Sequence, residues 1–114
     1  MPKLLFKDNV SVCFSVYNQA ILAAAQVVFA QFGYDCIVTG GMDGVHSLYS
    51  AHYRNMALDF RTNHVPPEKR GLIFDVLVKA LPTPTFDVLW EDRGKPNEHI
   101  HCEVNCTVQE WKHA

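Results

Sequence analysis

The chain has 114 residues, of which 48% are hydrophobic and 19% charged, and its formal net charge is −2 with neutral histidines. This size and composition fit one soluble globular domain over residues 1–114, and no segment is long and apolar enough to span a membrane. Lysines and arginines are scattered rather than gathered into a stripe. We therefore expect a monomer with neither a nucleic-acid nor a membrane partner.

The N-terminus and the cysteines indicate the compartment. The segment MPKLLFKDNVSVCF lacks an apolar core followed by a cleavage site, so we expect synthesis and folding in the cytoplasm without a signal peptide. The four cysteines, Cys13, Cys36, Cys102 and Cys106, form no CxxC pair. We expect buried, reduced thiols.

The first half of the chain predicts one helix and two strands. Apolar residues recur at helical spacing over residues 15–32, and Ser15 suits the N-cap. Residues 36–39 predict a short buried strand and residues 56–61 a second strand. Residues 40–50 between them form a polar, glycine-rich loop.

The second half predicts one more helix and a hairpin. Residues 67–81 carry a single apolar stripe, and Pro67 suits the first helical turn. Residues 86–92 and 99–105 read as two strands joined by a tight turn. This order of elements predicts an α+β domain with a small, mostly antiparallel sheet and both helices packed on one side.

The stretch EHIHCEV, residues 98–104, places polar side chains on one face of the last strand. His99, His101 and Glu103 alternate with apolar residues, so they point away from the core together. A solvated outer face explains this pattern, and so does a metal or catalytic site.

Asp59 lies within the apolar run MALDF, where an unpaired buried carboxylate is costly. One possible partner is a metal, because catalytic zinc sites use three imidazole or carboxylate ligands and leave one position open. His52, Asp59 and His101 supply such a set. The other possible partner is a salt bridge from Arg54 or Arg61, and spacing alone leaves both explanations open.

The stretch SAHYRNMALDF resembles the SxHxxGxAxD signature of the zinc D-Ala-D-Ala carboxypeptidase family. Its wider group includes vancomycin-resistance D,D-dipeptidases, phage L-alanyl-D-glutamate endolysins and hedgehog domains. The matching residues are Ser50, His52, Ala57 and Asp59. Asn55 stands at the glycine position, and asparagine tolerates a left-handed backbone better than most residues. EHIH is similar to the second motif of the family, so the resemblance covers about residues 36–105.

The resemblance implies a hedgehog/D,D-peptidase-like fold and specific roles for the polar residues. The implied ligands of one Zn²⁺ per chain are His52, Asp59 and His101. Glu98 is implied as the general base that activates water, and His99 as a hydrogen-bond donor to the developing oxyanion. Glu98 can share a face with the ligands only if it lies in the turn before the strand; Glu103 is the alternative base.

Substrate binding departs from the family pattern. Many of these peptidases carry an arginine after the first strand that binds the substrate carboxylate, but TGGMDGVHS, residues 39–47, has none. His46, Ser50 and Arg54 are the candidate substrate-binding residues. The missing arginine favours an endopeptidase over a strict carboxypeptidase.

The resemblance implies a zinc metallopeptidase that hydrolyses a peptide bond in peptidoglycan stem peptides. We expect a phage-type endolysin or virion-associated hydrolase that acts on the bacterial cell wall after release. The first alternative is a zinc-binding but non-catalytic binding or virion module of the same fold. The second is a metal-free α+β domain in which Asp59 pairs with Arg61.

Overall fold

The computed structural model describes residues 1–10, 15–41 and 57–105. Within these ranges the elements are, in chain order, β1 (Leu4–Phe6), α1 (Val16–Gln31), β2 (Cys36–Gly40), β3 (Ala57–Arg61), α2 (Pro67–Ala80), β4 (Phe86–Glu91) and β5 (His99–Val104). The strands form one sheet in the order β1-β2-β3-β5-β4. The predicted α+β class is therefore confirmed.

The sheet is mixed, so the prediction of a mostly antiparallel sheet is wrong. β1 runs parallel to β2, whereas β2–β3, β3–β5 and β5–β4 are antiparallel pairs. The sequence pattern does not predict β1, because its three residues are too few to show alternation. Parallel pairing is possible because α1 separates β1 from β2 and reverses the chain direction.

Local signals explain where the helices begin and end. The Ser15 hydroxyl accepts from the Asn18 backbone N–H at 3.2 Å, and the Asn18 side chain accepts from the Ser15 N–H at 2.8 Å. This reciprocal capping box starts α1, and Gly33 follows the helix with φ +84°. Pro67 occupies the first turn of α2, where its missing N–H costs nothing.

Both helices cover one face of the sheet. Leu58 and Phe60 of β3 and Ile100 and Cys102 of β5 are at most 1% exposed and pack with Phe29 of α1. Burial alternates strictly along β5, as the sequence predicts. The residues between these apolar side chains therefore point to the opposite face, which carries the polar groups described below.

The two cysteines that lie in the described ranges are buried and free. Burial raises the pKa of the Cys36 thiol to about 12 and also raises that of Cys102. Both thiols are inert core groups, in line with the prediction. Cys13 and Cys106 lie outside the described residues.

Candidate metal centre

The face of the sheet away from the helices gathers acids and histidines from three neighbouring strands. In the β3–β5 register Asp59 lies opposite His101, and in the β4–β5 register Glu91 lies opposite His99. Glu103 follows His101 on the same face of β5. Directly opposite side chains on antiparallel strands are neighbours, so these five groups form one cluster.

His101 lies between two carboxylates. Its Nδ1 is 2.8 Å from Asp59 Oδ1, and its Nε2 is 2.9 Å from Glu103 Oε1. Carboxylate oxygens only accept hydrogen bonds, so both ring nitrogens must donate and the ring is an imidazolium. Burial of His101 lowers its pKa, but the hydrogen bonds and charges of both acids outweigh burial and raise that pKa to about 10.

His99, two residues before His101 on the same face of β5, also lies between hydrogen-bond acceptors. Its Nε2 is 3.0 Å from Glu91 Oε1, and its Nδ1 is 2.9 Å from the Asn97 carbonyl oxygen. Asp59 Oδ1 lies 3.9 Å from the same Nε2. Burial lowers the pKa of His99, but the Asn97 hydrogen bond and the charges of Asp59 and Glu91 together raise it.

The chemistry of these donors suits a divalent metal. The ligand atoms of Asp59, Glu91 and His99 lie within 4.8 Å of one another. Imidazole nitrogen and carboxylate oxygen are donors that Zn²⁺ accepts, so a metal could bind to this group. Glu91 was not predicted as a site residue, although the register of the β4–β5 hairpin would have placed it opposite His99.

The predicted zinc ligands are only partly within the described residues. The structure brings Asp59 and His101 into direct contact, while His52 lies outside the described ranges. The candidate substrate-binding residues His46, Ser50 and Arg54 also lie outside them, and so does Asn55. The described part of the centre thus comprises the carboxylate and imidazole groups on β3, β4 and β5.

Glu98 precedes β5 but its carboxylate turns into the protein. Its side chain is 2% exposed. Oε2 accepts from Thr62 Oγ1 at 2.5 Å and Trp90 Nε1 at 3.1 Å. Oε1 accepts from the Gly94 N–H at 2.8 Å and Arg70 Nη1 at 3.2 Å.

Through these four donors, Glu98 links the start of β5 to four other segments: the end of β3, β4, the hairpin turn and α2. Burial raises the pKa of Glu98, but the hydrogen bonds and the Arg70 charge together hold it below its usual value. A carboxylate with four donors and a lowered pKa is a poor proton acceptor. The predicted base role of Glu98 therefore conflicts with its contacts, which are those of a structural group.

Arg61 lies on the same sheet face as Asp59, yet the described residues contain no ion pair between them. Asp59 instead pairs with His101 at 2.8 Å. The metal-free alternative based on an Asp59–Arg61 salt bridge is therefore not what the structure contains. Arg61 and Lys7 line a pocket of about 380 Å³ that also includes Asp59 and His99.

No protein-family model matches the chain, and no curated protein matches its sequence. The fold and the centre define an α+β domain with a cluster of acids and histidines on the open face of its sheet. Within the described ranges, every helix is too short or too polar to cross a bilayer.

Proposed function

We propose that the chain is a zinc-dependent peptidase that hydrolyses a peptide bond in peptidoglycan stem peptides, as a phage-type endolysin or virion-associated hydrolase. One observation carries the proposal: on a polar sheet face a donor atom of Asp59, a proposed ligand, lies within 4.8 Å of donor atoms of Glu91 and His99, the groups assigned below to proton transfer. His101 adjoins them, with its Nδ1 2.8 Å from Asp59 Oδ1. In the metal-free protein the protonated rings of the two histidines balance the neighbouring acids, and a divalent cation can take the place of a ring proton.

The proposed ligands of one zinc ion are Asp59, His101 and His52, with Glu91 and His99 beside them. When bound, zinc supplies a Lewis acid that polarises a carbonyl and lowers the pKa of water. Asp59 gives the ligand set its negative charge. The pairing of β3 with β5 places Asp59 directly opposite His101. Glu103 orients the ring of His101 from its other nitrogen.

Glu91 is the carboxylate that can accept a proton from water in the pocket. Its side chain is 46% exposed, and its Oε1 lies 3.0 Å from His99 Nε2. Glu98, in contrast, is 2% exposed and already accepts from four donors. We therefore assign proton transfer to Glu91, with His99 as the donor to a developing oxyanion.

The pocket beside the centre supports an acidic peptide substrate. Lys7 and Arg61 both line it next to Asp59 and His99. Neither cation has an ion pair within the described residues, so both remain able to attract a substrate carboxylate. Peptidoglycan stem peptides carry several carboxylates, and a pocket of about 380 Å³ suits one or two residues of such a peptide.

A zinc-binding module without catalysis is the second candidate. It is favoured by the contacts of Glu98, because four donors occupy the carboxylate that the family resemblance designates as the base. In that case the cluster stabilises the sheet, and the open face binds a partner or a cell-wall peptide without hydrolysing it.

Digestion of purified peptidoglycan, together with metal analysis, separates these candidates. The wild type should carry about one zinc ion per chain and release new amino groups, as expected for a site with three protein ligands. Asp59→Asn should lose both properties, while Asp87→Asn, a change on the same face of β4, should keep both. Zinc without hydrolysis would favour the binding module, and an absence of zinc in protein purified gently would contradict both candidates.

A further inference from the structure

The carboxylate of Asp59 lies against the backbone of Gly40 on the neighbouring strand. Gly40 pairs with Asp59 across β2 and β3. A Cβ atom added to Gly40 would overlap Asp59 Oδ2 and lie 3.0 Å from its Cγ. Heavy atoms that close cannot coexist without a shift, so only glycine leaves room for this carboxylate.

A β-bulge creates the close approach. Val38 pairs with Phe60, and Gly40 pairs with Asp59, so Thr39 is the extra residue on β2. Bulges bend one strand and re-aim its neighbours, and they are frequent beside functional sites. Here the bulge places Gly40 over one oxygen of Asp59, while the other oxygen lies 2.8 Å from His101.

Asp59 is therefore confined on both sides within the sheet. Gly40 of β2 limits the carboxylate on one side, and His101 of β5 holds it on the other. A methyl group at position 40 would have to push the carboxylate toward β5 or separate β2 from β3. Either shift changes the position of a proposed metal ligand.

We propose that Gly40 is a positioning residue of the metal centre, which sets the Asp59 carboxylate in place by the absence of a side chain. The role of Gly40 in metal binding rests on the proposed function. Its steric part, the fit of Gly40 against Asp59, can be tested whether or not the protein is a peptidase.

Gly40→Ala is the test variant and Gly71→Ala the control. A Cβ at Gly71, in α2, would meet only Trp90 at 3.8 Å, which is an ordinary contact. Zinc affinity is measured by competition with a chromophoric chelator. Gly40→Ala should weaken zinc binding by about 10- to 100-fold, as for other residues that orient a ligand, and Gly71→Ala should not change it.

The histidine ring signals of the metal-free protein provide a second readout. If Asp59 moves, the ring signals of His101, whose Nδ1 lies 2.8 Å from Asp59 Oδ1, should shift in Gly40→Ala and not in Gly71→Ala. A Gly40→Ala protein with the zinc affinity and the His101 ring signals of the wild type would overturn the inference.

Stability measurements keep the test informative if Gly40→Ala folds poorly or if the wild type binds no zinc. Gly40→Ala should destabilise the wild type much more than it destabilises the Asp59→Ala background, where no carboxylate meets the new methyl group. Equal destabilisation in both backgrounds would overturn the inference. An absence of zinc from a wild type that shows the unequal pattern would contradict the proposed function and leave the fit of Gly40 supported.

Discussion

His101 Nδ1 lies 2.8 Å from Asp59 Oδ1, across the pair that joins β5 to β3. The other ring nitrogen of His101 contacts Glu103, and those of His99 contact Glu91 and the Asn97 carbonyl oxygen. All four ring nitrogens therefore face hydrogen-bond acceptors. Both rings therefore hold an extra proton in the metal-free protein. Zinc ligation by His101 displaces the extra proton of that ring, whereas His99 keeps its proton as a hydrogen-bond donor.

Zinc binding should therefore release protons. Near pH 6 we expect about one proton per zinc ion from His101, because the hydrogen bonds and charges of Asp59 and Glu103 raise its pKa to about 10. As the pH rises through about 10, the ring of His101 loses this proton without zinc, and the number should fall toward zero. Calorimetry of zinc binding in buffers of different ionisation enthalpy measures this number.

The same competition makes zinc occupancy sensitive to acid. Occupancy should fall as the pH drops through the imidazole range, and the bound fraction should be small near pH 4. Release of no proton at pH 6, or full occupancy at about pH 4, would contradict histidine ligation.

The stability of the metal-free protein should decrease in alkaline solution. The folded pKa of His101, about 10, is higher than the ordinary value of 6.5. The stabilisation that the protonated His101 ring gives the folded protein is therefore fully present below pH 6.5 and is lost as the pH rises through about 10. The loss should amount to a few kcal/mol, since one pKa unit corresponds to about 1.4 kcal/mol.

Urea unfolding at pH 7 and near pH 10 measures this loss. His101→Gln is the matched variant, because it removes the titrating ring and keeps a polar side chain. Its stability should change much less over the same interval. Parallel pH profiles of the two proteins would mean that His101 is not the source of the loss.

The sequence predicts the parts of the molecule that local patterns determine. Helix α1 follows from its periodicity and the Ser15 cap, and the polar face of β5 from the alternation of His99, His101 and Glu103. β1 and the bulge at Thr39 depend on pairing between distant segments, so no local pattern reveals them.

The candidate site shows the same limit. The sequence predicts Asp59 and His101 as neighbours because both are assigned to one zinc site, and their contact is present. The burial of Glu98 could not be predicted, because it depends on donors from Thr62, Arg70 and Trp90, which lie on three other segments. A motif identifies a carboxylate but not the number of donors that surround it in the fold.

Glu98→Gln should destabilise the protein without abolishing its zinc binding. The substitution removes the buried negative charge that pairs with Arg70 and replaces one acceptor oxygen of residue 98 with a donor. The free energy of unfolding should fall by about 2 to 4 kcal/mol. Asp75→Asn, at an exposed position of α2, should change stability by less than about 0.5 kcal/mol. Chemical denaturation and metal analysis of the two variants provide the measurement.

The pH dependence of Glu98→Gln gives a further check. The pKa of Glu98 is held below its usual value, so its contribution is present above the unfolded pKa and is lost as the pH falls through the folded pKa. The variant should therefore lose less stability in acid than the wild type. A variant as stable as the wild type would argue against the structural role of Glu98.

Glu91→Gln should abolish hydrolysis while the fold and zinc remain. Glu91 is the exposed carboxylate beside His99, and glutamine keeps its size but cannot accept a proton. Removal of a general base typically reduces the rate by about 10²- to 10⁴-fold. Single-turnover release of amino groups from peptidoglycan, with zinc content measured on the same samples, provides the test.

Asp87→Asn is the matched control, because Asp87 lies on the same face of β4, opposite Glu103. It should keep the activity of the wild type. If Glu91→Gln keeps its zinc and its full rate, proton transfer belongs to another residue.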